Sequence, residues 1–145
     1  MRTYPDWCYR QSAVVPYRRN STDVEVLLIT SRKGRKWIVP KGIVEPDLTP
    51  TESAVAEAFE EAGVRGTVSE TLLGTYRYSK WGGTCAVDVF PLSVEDELDD
   101  WPESTFRRRL WLPLAEAAER VSSDPLAEII RALGRHLGGT PKTES

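Results

Sequence analysis

The sequence predicts an α/β protein. Strand-like runs rich in β-branched residues lie on both sides of a helix with marked ends, and two more helical stretches close the chain. Its 145 residues, 40% hydrophobic and 28% charged, have the make-up of an ordinary globular domain, and the length suits one domain. A formal charge of -3 disfavours a general nucleic-acid binder. No apolar run approaches the roughly 20 residues of a membrane span, and the first residues lack the apolar stretch of a secretory signal. Cys8 and Cys85, the two cysteines, are too far apart in the chain to suggest a disulfide framework or a thiolate cluster. A cytoplasmic protein without a membrane partner is the expectation.

Ser12–Val15 and Val24–Thr30 read as strands, and the polar turn Arg18–Asp23 between them implies a hairpin. A basic loop follows, Arg32-Lys33-Gly34-Arg35-Lys36, and the short apolar segment Trp37–Val39 stops at Pro40. Leu72–Tyr78 and Thr84–Phe90 are again strand-like, with Trp81-Gly82-Gly83 as a hairpin tip. The acidic run Glu95–Asp100, after Pro91, reads as a solvated loop. Arg107–Leu112 is a last short strand, and helices are expected over Pro113–Val121 and Pro125–Leu137. The domain therefore spans 1–137, with 138–145 a flexible tail. His136, the single histidine, falls at a helix end, so multi-histidine metal sites are excluded. Catalysis would fall to carboxylates, a metal ion and basic residues.

The best-marked helix is central. Thr49 suits the N-cap, Pro50 the first helical position and Glu52 the third, which makes a capping box. Gly63 supplies the stop. Val55, Ala58, Phe59 and Ala62 recur at helical spacing and should face the core. Glu57, Glu60 and Glu61 stand at i, i+3 and i+4, within one sector at about 100° per residue. Like charges at that spacing repel, and the helix C-terminus disfavours anions. No Lys or Arg lies between Glu45 and Arg65 to neutralise them. A hard divalent ion that prefers oxygen ligands, such as Mg²⁺, would do so; a solvated acidic face is the plainer alternative.

The segment Trp37-Ile38-Val39-Pro40-Lys41-Gly42 leads through a loop into this acidic helix, and here the sequence resembles a Nudix hydrolase. That family's box reads G-x5-E-x7-R-E-U-x-E-E-x-G-U, with U aliphatic. With Gly42 at its first position, Glu57, Glu60, Glu61, Gly63 and Val64 all fall in register. Two positions depart: Leu48 replaces the first glutamate and Ala56 the arginine. Loss of both at once makes physical sense if the place is partly desolvated, because losing one would leave a charge unpaired. The resemblance implies a Nudix-type α/β/α sandwich with a mixed central sheet. It also implies a metal ion, Mg²⁺ or Mn²⁺, held by Glu57, Glu61 and the backbone carbonyl of Lys41, with Glu60 as general base.

Across nearly the whole chain, the combination of Arg2-Thr3-Tyr4, Glu25–Leu28, Trp37–Pro40, Glu45-Pro46, Glu60–Val64 and Arg107–Trp111 is similar to diphosphoinositol polyphosphate phosphohydrolases. Two basic runs, Arg32–Lys36 and Arg107–Arg109, independently suit an anionic polyphosphorylated small molecule. By the resemblance, Arg10, Ser31, Arg32, Lys36, Lys41, Gly42 and Arg108 are substrate-binding candidates, whereas Gln11 and Ser12 stand where those enzymes carry basic residues. Trp37 and Trp111 are expected to be core or wall residues, while Tyr76, Tyr78 and Trp81 could stack on a base. The activity implied is Mg²⁺-dependent hydrolysis of a phosphoanhydride bond in a diphosphoinositol or diadenosine polyphosphate. Alternatives are another dinucleoside polyphosphate or nucleoside-diphosphate-X pyrophosphatase, RNA 5′-end pyrophosphohydrolysis, and a weakened module that binds a phosphorylated ligand.

Overall fold

The computed structural model describes residues 10–80 and 82–138. Arg2-Thr3-Tyr4, Cys8, Trp81 and residues 139–145 of the expected tail lie outside the described residues. β1 (Arg10–Arg19) and β2 (Val24–Thr30) form the expected antiparallel hairpin, with Tyr17 opposite Val26. β3 (Trp37–Ile38) and β4 (Lys41–Ile43) are short and flank Pro40. The central helix α1 (Pro50–Glu57) continues as a π-helical turn, Ala58–Ala62. Then come β5 (Val64–Val68), β6 (Gly74–Lys80), β7 (Gly83–Glu97) and β8 (Arg109–Pro113), followed by α2 (Leu114–Arg120) and α3 (Asp124–Gly138). Gly138, assigned above to the tail, is the last residue of α3.

The eight strands make one mixed sheet. β1 runs parallel to β7 and antiparallel to β2 and β4, while β7 pairs antiparallel with β5 and β6. Two strands outrun their sequence-based limits, and both pass through a proline. Pro16 lies in β1 between the stretch paired with β4 and the stretch paired with β2. Pro91 lies in β7 between the stretch paired with β6 and the stretch paired with β5. Both prolines stay in register in the parallel β1–β7 ladder, and each missing N–H faces the other side of its strand, in the gap between partners, where no ladder bond is lost. The acidic run is corrected accordingly: Glu95, Asp96 and Glu97 belong to β7, and Glu95 accepts a 2.5 Å hydrogen bond from Thr67.

Alternation along the strands sorts side chains onto two faces. Val14, Leu27, Ile29, Phe90 and Leu92 face α1 and meet Ala54, Ala58 and Ala62, small residues that let the helix lie close. Ala13, Val15, Val26, Leu28, Val87 and Val89 face the other way. They are covered by Ala117 and Ala118 of α2 and by Leu126, Ile129, Ile130 and Leu133 of α3, spaced as one helical face. This is the expected α/β/α sandwich. One expectation about α1 fails: Phe59 is only half-buried and lies beneath the Arg65 guanidinium, 4.5 Å from its ring centroid. Ala54 takes the core position instead. No helix among the described residues is long and apolar enough to cross a membrane.

Candidate active site

The acidic helix is held at both ends. Thr49 Oγ1 accepts from the Glu52 amide at 3.2 Å while Glu52 Oε1 accepts from the Thr49 amide at 2.9 Å, so the capping box forms as expected. At the other end Gly63 adopts φ 68°, a left-handed conformation costly for any residue with a Cβ. The terminal carbonyls find donors from distant segments: Glu60 O from the Glu103 amide, Glu61 O from Trp101 Nε1 and Ala62 O from Arg109 Nη1. Arg109 stacks over Trp101, 3.9 Å from its ring centroid. Cationic compensation for the helix C-terminus, missing from the helix itself, thus comes from β8.

Beside this helix lies a cavity of about 380 Å³ lined by Gln11, Ser31, Arg32, Ile38, Lys41, Gly42, Ile43, Glu61 and Arg107. Glu61 is buried; Oε1 accepts from the Lys41 amide at 3.2 Å, and Oε2 is 3.6 Å from Arg107. Burial raises its pKa, opposed by Arg107 and the Lys41 amide. Glu57 is half-buried and has no ion pair among the described residues. Desolvation, then the charge of Glu61, push its carboxyl up to about 8, and a side-chain hydrogen bond with Glu61 adds to the rise. Gly42 makes room for it, because a Cβ there would overlap the Glu57 carboxylate.

These residues fit a divalent cation. Two converging acids, one with its pKa raised by burial and by the charge of the other, form a donor set that a hard cation would ionise, and Mg²⁺ commonly uses one or two carboxylates plus substrate phosphates. Among the described residues no three carboxylate, imidazole or thiol groups already form a metal-binding cluster. Glu60 is exposed, though its charge contributes to raising the Glu57 pKa. The Lys41 main chain reaches Glu61 through its N–H, whereas the expectation concerned its carbonyl.

Of the substrate candidates, Ser31, Arg32, Lys41 and Gly42 line the cavity with Glu61. Ser31 Oγ also closes the basic loop by accepting from the Arg35 and Lys36 amides. Lys36 lines a neighbouring cavity of about 450 Å³ with Lys41, Tyr76, Tyr78, Pro125 and Leu126. Arg10 and Arg108 are exposed and line neither cavity. The second basic run is divided: Arg108 faces solvent, Arg109 caps the helix, and Arg107 is buried, paired with Glu103 at 2.9 Å and donating to Thr30 O at 2.9 Å. Trp111 is a wall residue with Arg18 stacked 4.0 Å from its ring centroid.

Glu103 was missed from sequence, and Arg107 was read only as part of a basic run suited to phosphate, not as the partner of Glu61. Glu103 raises the pKa of both Glu57 and Glu61 by its charge. Their i, i+4 spacing was a signal, but it stood in a stretch whose path beside α1 only the sheet determines. Leu48 and Ala56 are both exposed. The desolvation rationale for their joint replacement therefore fails, since neither position buries charge.

The family described as NUDIX domain matches residues 9–133. Nudix hydrolase 21, chloroplastic, of Arabidopsis thaliana is 40% identical over 86% of this chain, which spans 66% of that protein's length, just under two thirds. Diphosphoinositol polyphosphate phosphohydrolase 3-alpha of Mus musculus is 34% identical over 97% of this chain and 86% of its own. A C. elegans Ap4A hydrolase structure superposes with a TM-score of 0.76 at 24% identity, covering 90% of this chain and 98% of the other, and shares the fold. A box in register but for Leu48 and Ala56, folded into a capped helix beside a cavity lined by Arg32, Lys41 and Arg107, agrees with these likenesses: the chain belongs to the Nudix family.

Proposed function

We propose that the chain is a Mg²⁺- or Mn²⁺-dependent hydrolase that cleaves a phosphoanhydride bond of a diphosphoinositol polyphosphate or a diadenosine polyphosphate. One observation carries this reading: the Glu61 carboxylate lines a cavity together with Arg32, Lys41 and Arg107, and the Glu57 carboxylate packs against Gly42 of the same lining. Glu57 and Glu61, with the Lys41 carbonyl, would hold the cation. When bound, such an ion neutralises phosphate oxygens and makes a water more acidic. Glu60, exposed beside the pair, accepts the proton of the attacking water as general base. Arg32 and Lys41, supplemented by Lys36 and the backbone at Ser31 and Gly42, clamp the phosphates so that attack is in line, while Arg10 and Arg108, outside both cavities, meet phosphates farther from the reacting bond. Arg107 keeps Glu61 oriented through its ion pair. The mouse relative's name supports the inositol branch. The cytoplasmic setting belongs to the same proposal.

The neighbouring cavity favours a second reading, a nucleoside polyphosphate. It opens from the shared residues Ile38 and Lys41 onto Tyr76, Tyr78, Pro125 and Leu126, surfaces that suit a flat ring better than further phosphates. Chromatographic separation of the products formed from a panel of inositol pyrophosphates, diadenosine polyphosphates and capped RNA, with and without Mg²⁺, tests both readings: the first would release inorganic phosphate and the other two a pair of nucleotide fragments. Mg²⁺-dependent turnover of the first or second substrate is expected. Tight binding of all with turnover of none would make the chain a binding module and overturn the proposal.

A further inference from the structure

Phe106 leaves 36% of its surface in solvent, one of three large apolar side chains to do so among the described residues. Two guanidinium groups gather at its ring: that of Arg32 at 4.9 Å from the centroid and that of Arg107 at 5.2 Å. Cations within about 6 Å of a ring centroid are drawn to its electron-rich face. Both arginines line the catalytic cavity, but their situations differ. Arg107 is buried and balanced by Glu61 and Glu103. Arg32 is exposed, and no carboxylate lies in ion-pair distance of it among the described residues.

The ring is carried by a fixed backbone. The Phe106 and Arg107 amides both donate to Glu103 O, and the Arg108 amide donates to Thr30 Oγ1 while Arg108 O accepts from the Thr30 amide. The foot of the basic loop and the turn bearing Phe106 are therefore stitched together. Within the loop, the Ser31 amide donates to Lys36 O and the Gly34 amide to Ser31 O. What these bonds leave undetermined is the long Arg32 side chain, whose rotamers must be frozen when an anion binds. An exposed aromatic face on a rigid mount removes that cost before binding.

We propose that Phe106 is a positioning residue that holds the Arg32 guanidinium at the rim of the catalytic cavity for an anionic phosphate group. The proposal rests on the reading of that cavity as a phosphate site and adds a residue outside the box to it. Phe106 brings no charge of its own, so its effect must pass through the guanidinium groups at its ring, and an Arg32→Ala background separates Arg32 from the already balanced Arg107. Calorimetric titration of methylenebisphosphonate, a non-hydrolysable pyrophosphate mimic, into the full chain in magnesium buffer tests this. Phe106→Leu should weaken binding about 2- to 5-fold, Phe106→Trp should restore it, and the melting temperature should not move. In an Arg32→Ala background, Phe106→Leu should add nothing.

Wild-type affinity in Phe106→Leu, or an equal loss with and without Arg32, overturns the proposal. An Arg32→Ala variant that binds as wild type overturns it too, together with the loop's assignment as a phosphate clamp. Because binding rather than turnover is measured, a chain that hydrolyses no substrate would defeat the proposed activity and still leave the Phe106–Arg32 coupling to be read.

Discussion

At the scale of single residues, Glu57 ties stability to protonation. Its carboxyl is raised from 4.5 to about 8, first by burial and then by Glu61. Between those values the folded protein keeps a proton that the unfolded chain has released, so stability falls as pH rises through that window and levels off above about 8. Thermal melts of the metal-free protein should show this decline, and Mg²⁺ should reverse it by binding the ionised pair. Glu57→Gln should flatten the decline. The same variant and Glu60→Gln are each expected to lower turnover by orders of magnitude with an unchanged circular dichroism spectrum; wild-type rates in both would overturn the site assignment.

At the scale of elements, α1 shows how local and distant signals combine. Its start is set by neighbours in sequence, Thr49, Pro50 and Glu52. Its end depends on Gly63 together with Trp101 and Arg109, which arrive from 38 to 46 residues later (101 − 63 and 109 − 63). Gly63→Ala would place a Cβ 2.8 Å from the Trp101 ring while forcing a left-handed conformation on alanine. Urea unfolding should register a loss above the ~1–2 kcal/mol that the backbone alone costs. The π-helical turn was not legible in the run Ala58–Ala62, because each residue tolerates an α-helix equally well. Strand limits failed for a related reason: Pro16 and Pro91 are strand breakers locally, and only the partner gaps make them harmless.

For the whole molecule, the sheet separates duties between its faces. The α1 face carries the acidic helix, and the opposite face packs on α2 and α3. Ile130, fully buried on that second face, contributes only packing. Ile130→Ala should cost about 2–5 kcal/mol by chemical denaturation. Affinity for the pyrophosphate mimic should stay at the wild-type value, since no residue of α3 beyond Leu126 lines either cavity.

Much of this protein was legible from local pattern alone. The hairpin of β1 and β2, the capping box and the amphipathic α3 follow from short-range sterics, hydrogen bonding and periodicity, which are properties of neighbouring residues. The fates of Arg107, Arg108 and Arg109 were not legible, although three identical side chains stand in a row. One is buried against Glu61, one faces solvent and one caps a helix, and their order is set by the path of β8 and the turn before it. The same holds in part for Glu57, whose pKa is raised first by burial, then by Glu61 and Glu60 of its own helical run, and also by Glu103 brought from another segment. Charge environment is a sum over space, and only the folded chain determines which charges are near.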